Sequence, residues 1–322
     1  MRFPANLPRR AVIAAAVLSI AAVTAAHAQT GVAKVIVPFT PGGISDVIAR
    51  TLLERMSREL GQTMIVENRP GGGGRIGSEV VMRAPADGNT LLFTNSSYSI
   101  LPIVDSTARY EPSSALAPVV LAGTYGLPIV VSNKLPVNSL QSLIDYARKN
   151  PGKLSYGSAG QGSGTHFAGE YFKVLTQTQM VHVPYKSTAA AAADVASGLL
   201  DLTFDAASKP YADAGKVKII AVTGRLRDPR LRDVPTAAEA GLKPFVLDSW
   251  VGLLAPAATP PAVIERLNHA AATALADPGL RKALNDLGVN PAGGPPARLA
   301  QMIADDNVLY RKIVKDAQLK VE

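Results

Sequence analysis

Short apolar runs alternate with stretches of helical period along almost the whole chain, and that alternation restricts its fold more than any other feature. Buried strands interleaved with amphipathic helices are the pattern of a parallel or mixed sheet covered on both faces, so the fold class is α/β. The first unit is complete. A strand over Lys34–Phe39 leads to a helix whose Ile48, Leu52, Leu53, Met56 and Leu60 share one face. Gly61 is placed to stop that helix, and a second strand follows over Thr63–Glu67, with a third over Thr90–Thr94. A second series begins near Leu127, with strands over Leu127–Val131, Leu154–Tyr156, Leu202–Phe204 and Val217–Val222. Helices are expected over Leu140–Lys149, Thr165–Leu175 and Ala189–Ser197. Pro235 and Gly241 bracket a short helical piece, and Phe245–Leu254 reads as extended. From Pro260 onward the period is helical, with Leu299, Met302, Ile303, Tyr310, Ile313 and Val314 on one side.

Residues 1–28 read as a secretory leader: Arg2, Arg9 and Arg10 precede an apolar run that ends in Ala26-His27-Ala28. The run from Ala11 to Ala26 is shorter than the ~20 residues of a spanning helix, so cleavage before Gln29 is expected. Removing 28 of the 322 residues leaves 294, enough for two lobes with a core each. The leader's three arginines take the formal charge from +8 to +5, and the remaining basic residues are dispersed. That excludes a nucleic-acid footprint and leaves, at most, attraction of small anions. With no cysteine, disulfides, thiolate chemistry and thiolate-ligated metals are excluded.

Two strand-to-helix turns are rich in small residues. Pro41-Gly42-Gly43 precedes a helix beginning near Ser45, and Ser158-Ala159-Gly160-Gln161-Gly162-Ser163-Gly164-Thr165-His166 opens another. The free N–H groups and positive dipole end of a helix start make each a seat for a carboxylate or phosphate. Two such mouths in opposite halves of the chain suggest a clamp around one anion. Asp46 reads equally as a grip on a ligand hydroxyl or ammonium and as favourable first-turn placement. Asp205 either faces the cleft or caps the residues after it, and His166 is either a donor to a carboxylate or a structural group. Lys186 reads as a solvated lysine beside an N-cap rather than as an anion contact.

Gly72, Gly74 and Gly77 form a G-x-G-x-x-G, but the following strand ends in Thr94-Asn95 without the acid that would hold a ribose, so nucleotide binding is not expected. His166, His182 and His269 lack metal-ligand spacing. Ser163 lies outside a G-x-S-x-G elbow and no Walker lysine is present, so neither cofactor, metal nor catalysis is expected.

The segments VPFTPGGISD (37–46), VENRPGGGGRIG (66–77), LSYGSAGQGSGTHFAGE (154–170), VPYK (183–186), LDLTFD (200–205), VPTAAEAGL (234–242) and SWVGLLAPAATP (249–260) resemble those of one family. They are similar to the periplasmic solute-binding receptors of tripartite tricarboxylate transporters, the Bordetella uptake gene receptors. The resemblance implies a two-lobed, type II-like Venus-flytrap that closes on a small carboxylate in the periplasm and delivers it to membrane permease subunits. It implies first-lobe contacts at Phe39, Pro41, Gly42, Gly43, Ser45, Asp46, Asn95, Ser96 and Ser97. Second-lobe contacts are implied at Ser158, Gly160, Gly162, Ser163, Thr165, His166, Tyr185 and Asp205. The expected division is residues 29–123 plus 253–322 against 124–252, with a two-strand hinge near 123 and 248–252, in a monomer. The chain departs from the family at Tyr98, where a histidine is common, and at Ser187, Thr188 and Ala190. A hydrolase in the same cleft and a sensing module for a membrane kinase are the competing readings.

Overall fold

The computed structural model describes residues 31–319, so the expected leader lies outside the described residues. Strand β1 (Ala33–Val37) runs into helix α1 (Ile44–Leu60), then β2 (Met64–Asn68), α2 (Arg75–Met82), β3 (Thr90–Asn95), α3 (Ser97–Val104) and the long β4 (Leu116–Gly126). Next come β5 (Pro128–Ser132), α4 (Leu140–Lys149), β6 (Leu154–Ser158), α5 (Gly164–Thr176), β7 (Met180–Pro184), α6 (Thr188–Ser197) and β8 (Leu202–Phe204). A short α7 (Lys209–Asp213) and β9 (Val217–Val222) complete that series. The remaining elements are β10 (Asp248–Pro256), α8 (Pro261–Ala276), α9 (Pro278–Asp286), β11 (Asn290–Pro291) and α10 (Pro296–Asp316).

These elements build two mixed sheets, ordered β11-β4-β10-β3-β1-β2 and β7-β6-β8-β5-β9, one per lobe. β1 is parallel to β2 and β3, whereas β10 runs antiparallel to both β3 and β4. In the second sheet β6 is parallel to β7 and β8, and β5 is antiparallel to β8 and β9. The periodicity of α1 explains its seat. Ile48, Leu52, Leu53 and Met56 are all fully buried, each contributing about 1.5–3 kcal/mol of apolar transfer. Gly61 ends the helix at φ 61, a left-handed conformation that costs glycine little.

The lobes are joined by strands zipped side by side. β4 keeps pairing with β10 as far as Gly126 opposite Asp248. The Thr223 hydroxyl accepts the Leu127 N–H and donates to the Leu247 carbonyl, tying the outgoing and returning strands together. A Cβ at Gly126 would stand 2.3 Å from the Gly224 nitrogen, so only glycine permits that backbone approach.

Helix α10 also passes between the lobes. Leu299 and Ile303 pack in a first-lobe cluster with Trp250, while Tyr310 and Ile313 pack in the second-lobe cluster with Phe167 and Phe172. Ile100 and Ile103 of α3 enter that same second-lobe cluster.

Some expected elements differ. Residues 235–241 form hydrogen-bonded turns rather than a helix, held by the Glu239 carboxylate on the Thr236 N–H. The extended segment starts at Asp248, because Phe245 and Leu247 are buried in turns of the second-lobe core. Helices α2, α3 and α7 and strands β4, β7 and β11 lie where no element was expected. α3 reads SYSILPIV, too apolar all round to show a stripe and interrupted by Pro102.

Candidate functional site

The second Gly/Ser-rich turn is shaped by its own side chains. Ser163 caps α5, accepting the His166 N–H. Thr165 Oγ1 accepts the Ala159 N–H, Ser158 Oγ accepts the Gly160 N–H, and His166 Nδ1 accepts the Gly162 N–H. The loop amides expected to point outward are therefore turned inward, satisfied by hydroxyl and imidazole acceptors that sequence spacing does not place. What remains for a ligand is the head of α5, where Gly164 and Thr165 have no intrahelical acceptor for their N–H groups.

Across from it stands the head of α3. Asn95, at the end of β3, accepts the Ser97 N–H on Oδ1 and donates from Nδ2 to Ser45 Oγ. Ser96 Oγ accepts the Trp250 N–H from β10. A cavity of about 170 Å3 lies between these two helix starts, lined by Asn95, Ser96 and Ser97 on one side and Ser163, Gly164 and Thr165 on the other. Its back is formed by Tyr125 and Ser249, which face each other in the β4–β10 pairing. No lysine, arginine or histidine lines it. Each helix start carries about half a positive charge, so two dipole ends and a ring of hydroxyls supply the polar complement of an anion. The volume lies below the ~300–1,000 Å3 of drug-sized sites, which limits an enclosed guest there to a few heavy atoms.

The remaining expected contacts are placed otherwise. Pro41, Gly42 and Gly43 are exposed, and with Phe39 they stand outside the cavity lining; the first mouth meets it through the Ser45–Asn95 hydrogen bond. Asp46 is buried beneath that mouth. Its two oxygens accept from Arg50, the Gly42 N–H and Asn68. Burial alone would raise its pKa, but these donors outweigh it and hold the carboxyl at about 2. Asp46 is thus a brace for the Pro41–Gly43 turn.

Asp205 is buried and N-caps a short turn through the Ser208 N–H, with Thr203 donating to its other oxygen; burial raises its pKa. Tyr185 donates to Asp194 of α6, and Gly160 turns the loop at φ +107. His166 stacks on His182 at 4.1 Å between ring centroids. Burial first, then neighbouring His182, lowers its pKa to about 4. Because Nδ1 accepts from Gly162, the neutral ring carries its proton on Nε2.

Ser158 Oγ lies 2.6 Å from His182 Nε2, a serine–histidine pair. Ser158 is fully buried and its oxygen also accepts the Gly160 N–H. Among the described residues no cluster of His, Asp or Glu is arranged to hold a metal ion. Tyr98, at the departure from the family pattern, is a core residue: it is 2% exposed, stacks on Tyr110 and donates to the Pro112 carbonyl. Tyr125, Leu127 and Ser249 line the cavity without having been expected, because only the pairing of distant strands brings them there, and Ile100 of α3 joins them.

Residues 48–319 match the family described as "Tripartite tricarboxylate transporter family receptor". The chain belongs to this family. Protein BugT of Bordetella pertussis is 31% identical over 297 residues, 90% of each chain. A solved structure of a periplasmic transporter is 39% identical, with a TM-score of 0.77 over 92% of this chain and 100% of its own. The R. palustris protein Rpa4515, solved with adipate, is 34% identical, with a TM-score of 0.77 over 90% of this chain and 98% of its own. The two-lobed receptor fold expected from the segment pattern is the fold of these relatives.

Proposed function

We propose that this receptor captures a small organic acid between its lobes in the periplasm and hands it to the membrane permease subunits of a tripartite transporter. The observation that carries the reading is the pair of helix starts, α3 and α5, facing each other across the hinge cavity from opposite lobes. A carboxylate touching both stabilises the closed state over the open one, which is how ligand binding becomes a signal to a membrane partner. The adipate-bound relative supports a carboxylate as the guest. The site residues in this reading are Asn95, Ser96 and Ser97 with Ser163, Gly164 and Thr165, joined by Tyr125 and Ser249 at the hinge. The first mouth, with Gly42 and Gly43, acts as a support through Ser45. The two crossings near Leu127 and Asp248 are the hinge, and the protein acts as a monomer.

The reading includes binding without turnover. It is supported by the receptor family and by the burial of Ser158, whose hydroxyl is paired with the His182 imidazole. Thermal-shift screening of the mature protein against mono-, di- and tricarboxylates tests it, since a guest that prefers the folded state raises Tm. A shift with intact acid recovered afterwards is expected; no shift with any carboxylate, or chemical conversion of one, would overturn it. Mass determination of protein secreted by its native host is expected to place the mature N-terminus at Gln29.

A further inference from the structure

Two further spaces adjoin the hinge cavity. A second space of about 300 Å3 shares Ser97, Ile100, Ser163 and Gly164 with the first and is otherwise lined by Gly73, Leu101, Val104, Gln161 and Gly162. A third space of about 360 Å3 shares Gly73, Leu101, Val104, Gln161 and Gly162 with the second and adds Asp105, His166, Phe167, Val314 and Leu319 to the walls. Gly162 lines both the second and the third space. A Cβ there would stand 3.2 Å from the Val104 Cβ, and its φ of +73 suits glycine. The second space has Ile100, Leu101 and Val104 as its apolar wall beside Gln161, while the third also carries the polar side chains of Asp105 and His166.

The far end does not favour a second negative charge. Asp105 lines the third space, and hydrogen bonds from Thr107 lower the pKa of its carboxyl, keeping it ionised. Arg75, whose Nε stands 4.0 Å from Asp105 Oδ2, is absent from the cavity wall, so the wall presents the acid. His166, also on that wall, is neutral.

We infer that the acid this receptor selects carries a single carboxylate and an apolar body, with the carboxylate at the hinge end and the hydrocarbon lying along Ile100, Leu101 and Val104. The inference rests on the proposed carboxylate-receptor function and sharpens it to a class of ligand. Titration calorimetry at pH 7 with propanoate, butanoate, pentanoate and hexanoate, set against succinate, glutarate and adipate, tests it. Affinity is expected to rise about fourfold per added methylene, equivalent to ~0.8 kcal/mol of apolar transfer. Butanoate, pentanoate and hexanoate are each expected to bind at least tenfold tighter than the dicarboxylate of equal length. A flat chain-length series, or a dicarboxylate binding tighter than its monocarboxylate partner, would overturn the inference while leaving a carboxylate receptor standing. Binding of no member of either series would overturn the inference, and the receptor reading would then stand or fall on the thermal-shift screen. Val104→Asn is expected to reduce the gain per methylene to less than twofold, and an unchanged slope in a folded variant would count against the apolar seat. If that variant fails to fold, the wild-type series decides the question alone.

Discussion

Gly164→Pro isolates one backbone donor, the N–H at the head of α5 that faces the hinge cavity. Proline is suited to the first helical position, where it removes only an N–H that has no intrahelical partner. The preceding Ser163 already sits at φ −74 and ψ 159, the extended conformation a following proline requires. A Cβ at residue 164 meets nothing within 4 Å. The substitution should therefore leave the unliganded protein as stable as before or stabilise it by about 0.4–1 kcal/mol through the unfolded chain. A hydrogen bond to a carboxylate contributes about 1.5–3 kcal/mol, so affinity for the bound acid should fall about 10- to 150-fold. Gly164→Ala keeps the N–H and should bind within about threefold of wild type, less than 1 kcal/mol. Calorimetric titration of the three proteins, with Tm measured without ligand, separates lost affinity from lost fold. Wild-type affinity in Gly164→Pro would refute the claim that the head of α5 holds the anion.

Three further outcomes are expected from the same geometry. Asp306 is buried under the hinge and accepts from Trp250 Nε1 at 2.8 Å; burial, opposed by that bond, lifts its pKa from 3.8 to about 7. A carboxyl whose folded pKa is raised lowers stability as pH climbs from about 4 to 7. Asp306→Asn should remove that decline and raise Tm at pH 8 relative to wild type, measured by calorimetric scans across pH. Asp46→Ala strands the Gly42 N–H and the Asn68 amide and should lower unfolding free energy by about 2 kcal/mol in urea titration, with Arg50 half-exposed and adding little. Its folded pKa of about 2 means that its stabilisation is present above pH 4 and lost as pH falls toward 2. Phe167→Ala, which removes the ring packed edge-on against Tyr310 of α10 between the lobes, should cost about 3–5 kcal/mol. It should also enlarge the radius of gyration of the ligand-free protein in solution scattering.

Residues 34–61 show why much of the fold was legible. The helical face of α1 and its glycine stop are local signals, set by side chains within one or two turns of each other. The same holds for the caps at Ser163 and Ser187, whose hydroxyls accept amides three residues on. α3 was illegible because a short apolar helix with an internal proline lacks a stripe, although its head forms half the cavity. The site was half legible for a related reason. Residues 158–166 announced a helix start, but which of its amides stay free depends on where Thr165 and His166 turn, and the sequence does not hold that information.

By itself the sequence determined the alternation of strand and helix, the two small-residue turns and the absence of any thiol, all of which depend on residue type and short spacing. Only the tertiary structure decided that Asp46 looks inward, that α3 rather than α1 opposes α5, and that Tyr125 and Ser249 close the back of the cavity. It also decided that α10 spans both lobes. Each of these results from long-range packing, in which strands far apart in the chain pair and bring groups together that no local pattern associates.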